Sequence, residues 1–423
     1  MKSGLPVILT LLLLALPDSG LIAQRTHLVA RRYLDVRTGQ LVSPAVITIE
    51  GDRIAGINLA DRRPEERIID LGEMTLLPGL MDMHTHLCFS LDGDWVHRGV
   101  QEGPADTALR GAHNARITLN AGFTTVRDVG SSGFADIALM RAIDNGMAVG
   151  PRMFPAGHTL GITGGHADRT GYAPHLGELG PEQGTADGVD ECLVATRYQI
   201  KHGAKVIKIC ATAGVLSFEG PVGAQQYSEE EMRAIVEEAA RHGYKVAAHA
   251  HGSEGILAAV KAGVASIEHG SELTDEIIEL MKEKGTWHVP TSYLVDAIDL
   301  DNLPPHIRAK AEYILPRARE SLRRSIASGV NIAFGTDAAV FPHGDNAREF
   351  AVYVDLGMSP AEAIRTATIH AAELLGVDDR GQIEPGKLAD IIGVRGNPLE
   401  EIRVLEDVGF VMKGGTVFKH RKP

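Results

Sequence analysis

Between residues 77 and 337 the chain repeats one pattern eight times: a short apolar run of strand length, then a longer stretch of helical character. The runs lie at 77–86, 123–129, 152–157, 205–210, 245–250, 266–270, 288–292 and 331–337. Strands that alternate with helices pair in parallel, because each crossover helix returns the chain to the same end of the sheet. Eight such units are the number that closes a (β/α)8 barrel, the TIM-barrel form of α/β architecture. An open doubly wound sheet uses the same units but would not by itself place polar residues at the last positions of so many strands. The stretch 228–242 shows how the helices are delimited. Ser228 can cap its N-terminus with Glu231 three residues on, and Gly243 stands just past its end.

The texture changes at both ends of the chain. Residues 24–77 hold short β-like runs at 27–33, 45–50 and 53–57, broken at Gly39, Gly51 and Asp52. Similar runs return at 389–394 and 408–418, punctuated by Gly386, Gly396, Pro398, Gly414 and Gly415. The expectation is a small β-sandwich built from both ends, 24–77 and 381–423, flanking a barrel at 78–380. A chain of 423 residues with 44% hydrophobic content can fill one large core plus such an accessory unit.

Residues 1–23 read as a secretory signal: Lys2, an apolar stretch at 5–16, then Ala23 near a plausible cleavage point. That stretch is too short to remain as a membrane anchor, so the expected product is exported, periplasmic or secreted, with no membrane association after cleavage. The 42 Lys and Arg against 55 Asp and Glu give a net charge of −13 without any run of like charge, which argues against nucleic acid as a partner. Three cysteines, Cys88, Cys192 and Cys210, are too few for a disulfide framework. Cys88 and Cys210 each follow a proposed ligand by two residues, but buried apolar packing is the ordinary role of an isolated cysteine.

The last positions of the runs carry the functional argument, because barrels of this type place their chemistry at the C-terminal ends of the strands. His84 and His86 close the first run, Lys208 the fourth, His249 the fifth, His269 the sixth and Asp337 the eighth. His84 and His86 alternate along a strand, so both imidazoles face one side and can grip one ion. A single buried histidine is ordinarily a satisfied core residue; four histidines at three strand ends point instead to a metal centre. Asp337 would be a buried carboxylate that needs a cation or several donors. Lys208 ends the apolar run Val206-Ile207-Lys208-Ile209-Cys210. Desolvation favours its neutral amine, which can react with CO2 to give a carbamate, an anionic ligand with two oxygens able to bridge two cations. The alternative is a simple salt bridge to Asp337 or Glu268.

Leu77-Pro78-Gly79-Leu80-Met81-Asp82-Met83-His84-Thr85-His86, Gly335-Thr336-Asp337 and Pro385-Gly386-Lys387-Leu388-Ala389-Asp390 resemble the first-strand, eighth-strand and C-terminal signatures of the amidohydrolase superfamily, a resemblance that extends from about residue 33 to 418. It implies that His84, His86 and Asp337 bind one metal, that His249 and His269 bind a second, and that carboxylated Lys208 bridges them. Val206-Ile207-Lys208-Ile209 followed by Gln226-Tyr227-Ser228 is most similar to the imidazolonepropionase-related branch, whose members include prolidase-like dipeptidases and amidohydrolases that hydrolyse ochratoxin, a phenylalanine amide.

The chemistry implied is attack on an amide carbonyl by water activated between two divalent ions about 3.5–4 Å apart. Asp337 would move the proton to the departing nitrogen. Zinc suits imidazoles combined with oxygen donors, and manganese or cobalt fits the same shell. The loop 161–166 follows the third run. By resemblance, His166 would hold the carbonyl or the tetrahedral oxyanion, and Tyr227 the carboxylate of the C-terminal residue. His343 and Tyr293 are further candidates for substrate contact, and Arg127-Asp128 reads as a structural ion pair or as support standing behind the metal ligands. Two other functions compete: a cyclic-amide hydrolase or deaminase of the same superfamily, and a catalytically silent exported binding protein. The lysine argues against a one-metal deaminase, and six intact ligand candidates argue against a silent barrel. The resemblance also implies a homo-oligomer.

Overall fold

The computed structural model describes residues 25–59, 66–92 and 95–421; the leader expected at 1–23 lies outside the described residues. Leu80–Thr85 pairs in parallel with Phe123–Asp128, which pairs in parallel with Arg152–Pro155. Ile207–Cys210, Val246–Ala250, Ser266–His269 and Trp287–Val289 form a second parallel sheet in that order.

Three seams join these sheets and the eighth run into a ring. The Lys205 amide donates to the Pro155 carbonyl at 2.7 Å, and Leu160 bridges Ile209. The His288 amide donates to the Asn331 carbonyl at 2.8 Å, and the Asp337 amide to the His84 carbonyl at 2.8 Å. The eight staves therefore follow one another around the ring in sequence order, as the alternation predicts. Helices wrap the outside. Glu229–Arg241 buries Met232, Ile235 and Ala239, and Ser228 caps it, accepting from the Glu231 amide while Glu231 accepts from the Ser228 amide. Its buried face shares one cluster with Ile207, Ile209, Val246 and Ile267 from the staves.

The eighth stave departs from the expected strand. Residues 331–337 carry one isolated bridge, Ile332 to His288, and no continuous ladder, although single backbone bonds reach both neighbouring staves; the end of the stave is also gripped by the buried carboxylate of Asp82. It accepts from the Thr336 amide at 3.2 Å, the Thr336 hydroxyl at 2.6 Å and the Asn346 amide group at 2.8 Å. Asp337 then adopts a left-handed φ of 59°, a conformation that a side chain with a Cβ holds only when its surroundings impose it.

The two chain ends meet. Ile391–Arg395 pairs antiparallel with Met74–Pro78 in a six-stranded sheet, and 408–418 divides at Gly414-Gly415 into the hairpin Val408–Lys413 and Thr416–His420. A four-stranded sheet contains Thr26–Ala30 and Ala45–Glu50, and one buried cluster joins its Leu28, Ile47 and Ile54 to Leu76, Ile391 and Phe410 of the larger sheet. Gly79 carries the chain from Met74–Pro78 into the first stave. A Cβ there would lie 2.1 Å from Thr124 Oγ1, so only glycine permits this approach.

Candidate active site

Strand alternation turns His84, Lys208, His249 and His269 into the mouth of the ring, where His86 and Asp337 join them from the first and eighth staves. The partners of the two first-stave histidines fix which nitrogen is available. His86 Nδ1 lies 2.9 Å from the Gly130 carbonyl, which can only accept, so Nδ1 carries the hydrogen and Nε2 keeps its lone pair. His84 Nδ1 faces Glu268 at 2.8 Å with the same consequence. Both Nε2 atoms then lie 3.6 Å from one oxygen of Asp337. His269 Nδ1 is held by the Thr291 hydroxyl at 2.7 Å, whereas Nε2 of His249 is buried and has no hydrogen-bond partner. One donor atom from each of His84, His269 and Asp337 falls within a 4.8 Å span, as does one from each of His249, His251 and His269.

The electrostatics suit ligation. Burial pushes His86 down to about 4 and His251 to about 3, and holds His84, His249 and His269 well below the ordinary imidazole value. All five are neutral bases at neutral pH. Burial raises Asp337 to about 7, partly opposed by the positive charge of Lys208. Burial likewise lowers Lys208, whose amine forms no ion pair and no hydrogen bond among the described residues. Neither Asp337 nor Glu268 takes the salt-bridge role; Glu268 is already engaged by Arg127 at 2.7 Å and by His84.

A cavity of about 860 Å³ opens above these groups. Val215, Leu216, Val295, Ile298, Ile314 and Leu315 form an apolar wall, while Arg98, Arg110 and Arg169 line another side. His166 also lines the cavity and stacks on His249, with ring centroids 4.3 Å apart.

The amidohydrolase family profile matches residues 75–418, which take in the whole ring and the C-terminal strands. The chain belongs to the amidohydrolase family. It is accordingly a hydrolase of amide bonds. An ochratoxinase from Aspergillus niger is 38% identical over 371 residues, spanning 81% of this chain and 75% of that protein. Among solved structures, a Xaa-Pro dipeptidase with methionine bound in its active site superposes with a TM-score of 0.90 at 41% identity, covering 94% of this chain and all of that one. A prolidase complexed with N-methylphosphonate-L-proline gives 0.86 at 33% identity, again covering 94% of this chain and all of that one.

Several expectations change in this amidohydrolase. Tyr227 does not reach the cavity. The extended chain alternates faces, so Gln226 turns inward to accept from the His166 amide while Tyr227 turns into the core, near Cys192 and Cys210. His343 is occupied by the Phe89 carbonyl at 2.9 Å, and Tyr293 packs edge-on against Phe341; neither lines the cavity. Of the two readings of Arg127-Asp128 the ion pair fails, because alternation sends Arg127 inward to Glu268 and Asp128 outward to the Leu87 amide; Arg127 instead stands behind His84, through Glu268. The three cysteines, by contrast, keep the expected role: they are buried and free, and burial pushes the Cys210 thiol to about 12.

Two residues of the site escaped sequence reasoning. His251 follows His249 with the same two-residue alternation as His84 and His86, a signal present in the sequence. Glu219 beside His166 left no comparable trace.

The placement of Tyr227 makes a prediction. Its buried hydroxyl faces the Cys192 thiol, a weak partner, and not the cavity, so Tyr227→Phe should leave KM within about twofold and stability within about 1 kcal/mol, since little is lost with so weak a bond. A tenfold rise in KM, on the order of what a lost charge-assisted contact costs, would restore Tyr227 to the substrate.

Proposed function

We propose that this chain is a binuclear metal-dependent amidohydrolase that cleaves the amide bond to the C-terminal amino acid of dipeptides and N-acyl amino acids, ochratoxin A among them. One observation carries the metal part. A buried lysine without a partner stands among neutral imidazoles and a carboxylate of raised pKa. An uncompensated ammonium there would be costly, whereas a neutral amine is ready to react. Addition of CO2 forms an N–C bond at Nζ and releases one proton, leaving an anionic N-carboxylate.

The donor set fits two divalent cations, zinc by its mixture of imidazole and oxygen donors. His84, His86 and Asp337 would hold one, His249 and His269 the other, and carboxylated Lys208 would bridge them. When bound, such a pair lowers the pKa of water and polarises an amide carbonyl. The chain's own groups do the rest. Asp337, raised toward neutrality by burial, can accept a proton from water and return it to the departing nitrogen. His166 would steady the carbonyl oxygen as it gains charge.

The relatives' activities, those of an ochratoxinase, a Xaa-Pro dipeptidase and a prolidase, support the substrate class. So does the cavity, whose volume exceeds what a small dipeptide needs and whose wall of Val215, Ile314 and Leu315 suits a bulky apolar group. The apolar stretch at 5–16 supports export.

The test is a panel of dipeptides and N-acyl amino acids assayed for release of the C-terminal residue by zinc- and bicarbonate-treated protein. Members with a bulky apolar half should be turned over about tenfold faster or more than charged ones of equal size, the difference expected from burying roughly two methylenes. No turnover of any member would remove the substrate assignment; protein that binds no metal would remove the mechanism.

A further inference from the structure

His166 is held by one loop, and that loop is held by one lysine. Glu219 is nearly inaccessible and accepts from the Gly214 amide at 2.8 Å, with His166 Nδ1 at 3.1 Å; the Ser217 hydroxyl lies 2.6 Å from the same nitrogen. Burial acts to raise the Glu219 carboxyl, but hydrogen bonds from His166, Ser217 and the Gly214 amide hold it down at about 2, so it is an anion and can only accept. The imidazole hydrogen at Nδ1 is thereby directed into the loop, and Nε2 is the nitrogen left without a protein partner.

The loop backbone is cut to fit the ring. A Cβ at Gly214 would lie 2.1 Å from His166 Cε1. Beneath it Lys310, on the helix Pro305–Ser328, donates to three loop carbonyls: Gly214 at 3.3 Å, Ser217 at 3.0 Å and Glu219 at 2.8 Å. One oxygen of Glu219, Oε2, is buried with no partner. That arrangement is unfavourable for folding alone and persists because the surrounding contacts over-determine it.

We propose that Glu219 is a positioning residue for the reaction, anchored by Lys310, that fixes the ring of His166 over His249 with Nε2 presented to the reacting carbonyl. This rests on the role given to His166 above. Three side chains from distant parts of the sequence thus act as one lever: Lys310 sets the loop, the loop sets Glu219, and Glu219 sets the imidazole.

The experiment is a double-mutant cycle between Glu219→Ala and His166→Ala in the metal-loaded enzyme, read as kcat, KM and metal content on the fastest panel substrate. It is accompanied by inhibition constants for the N-methylphosphonyl derivative of the released amino acid and for that amino acid itself. Glu219→Ala should lower kcat by about 10- to 100-fold, the usual range for a partner that orients an active group. KM and metal content should hold. The phosphonate, which carries the charge of the tetrahedral state, should weaken by a similar factor, and the free amino acid should not. The double variant should be no worse than His166→Ala alone, because both remove the same group. Lys310→Met and the milder Glu219→Gln should each show the same pattern at smaller size, which keeps the test valid if Glu219→Ala folds poorly. Multiplying effects in the cycle, or a Glu219→Gln enzyme with unchanged kcat and phosphonate binding, would overturn the proposal. If His166→Ala itself is fully active, the fault lies with the role of His166 and not with the lever.

Discussion

Lys208→Ala should leave a protein that folds, binds less than two equivalents of metal and turns over amide substrates roughly 10³-fold more slowly or worse, since the several kcal/mol supplied by a water-activating metal pair are lost with its bridge. The ring itself should survive. Lys208 makes no hydrogen bond or ion pair whose removal would strand a buried partner, and neighbouring staves are joined by backbone bonds that do not involve its side chain. Adding a short carboxylate such as formate should restore part of both metal content and rate, because it can occupy the space and supply the two oxygens that the N-carboxylate would have given. The measurements are metal content by elemental analysis and kcat/KM with and without the carboxylate. Full metal loading and undiminished turnover in Lys208→Ala would end the proposed chemistry.

Arg127→Met should be the most destabilising single change in the barrel interior. Glu268 is wholly buried, and its two oxygens are engaged by the Arg127 guanidinium at 2.7 Å, the Ser266 hydroxyl at 2.5 Å and His84 Nδ1 at 2.8 Å. Arg127 also donates to the Met83 carbonyl at 2.6 Å, next to the first-stave histidines. Removing one member of a buried pair strands the other charge, at a cost of about 3–5 kcal/mol. Removing both does not. Arg127→Met/Glu268→Gln should therefore recover a substantial part of the loss, and the pair should be strongly non-additive. Chemical-denaturation midpoints compare the three variants. A single variant within about 0.5 kcal/mol of the parent, the usual range for neutral surface changes, would show that the pair does not act as a strut. Because Glu268 also holds His84, weaker metal binding should accompany the loss of stability.

The candidate ligands were legible because their placement is written locally. A stave exposes alternate residues, so a histidine, lysine or aspartate at the last inward position of an apolar run must face the mouth of the ring, and His84, Lys208, His249 and His269 all do. The same rule, applied one step further, would have yielded His251 from His249-Ala250-His251. Tyr227 was misread because resemblance placed it without regard to alternation: Gln226 claims the inward face, and the tyrosine goes to the core. The ion-pair reading of Arg127-Asp128 fails for the same reason, since adjacent residues on a strand point to opposite sides, whereas Arg127 does stand behind His84 through Glu268.

Other features had no local signal at all. Glu268 and Arg127 are 141 residues apart and meet only because the ring closes. Lys310 reaches the carbonyls of a loop more than 90 residues earlier, and nothing in the composition of either segment announces the other. The end of the eighth stave is gripped by a carboxylate on the first, 254 residues away in sequence. Period, capping and the order of apolar runs are properties of neighbours along the chain, and from these the sequence alone determined the barrel, the order of its staves and which side chains face the mouth. Which groups touch across the ring, which loop grips His166 and which tyrosine stays out of the cavity were decided only by the tertiary structure, because contacts between distant segments depend on closure geometry and loop path, neither of which any local pattern encodes.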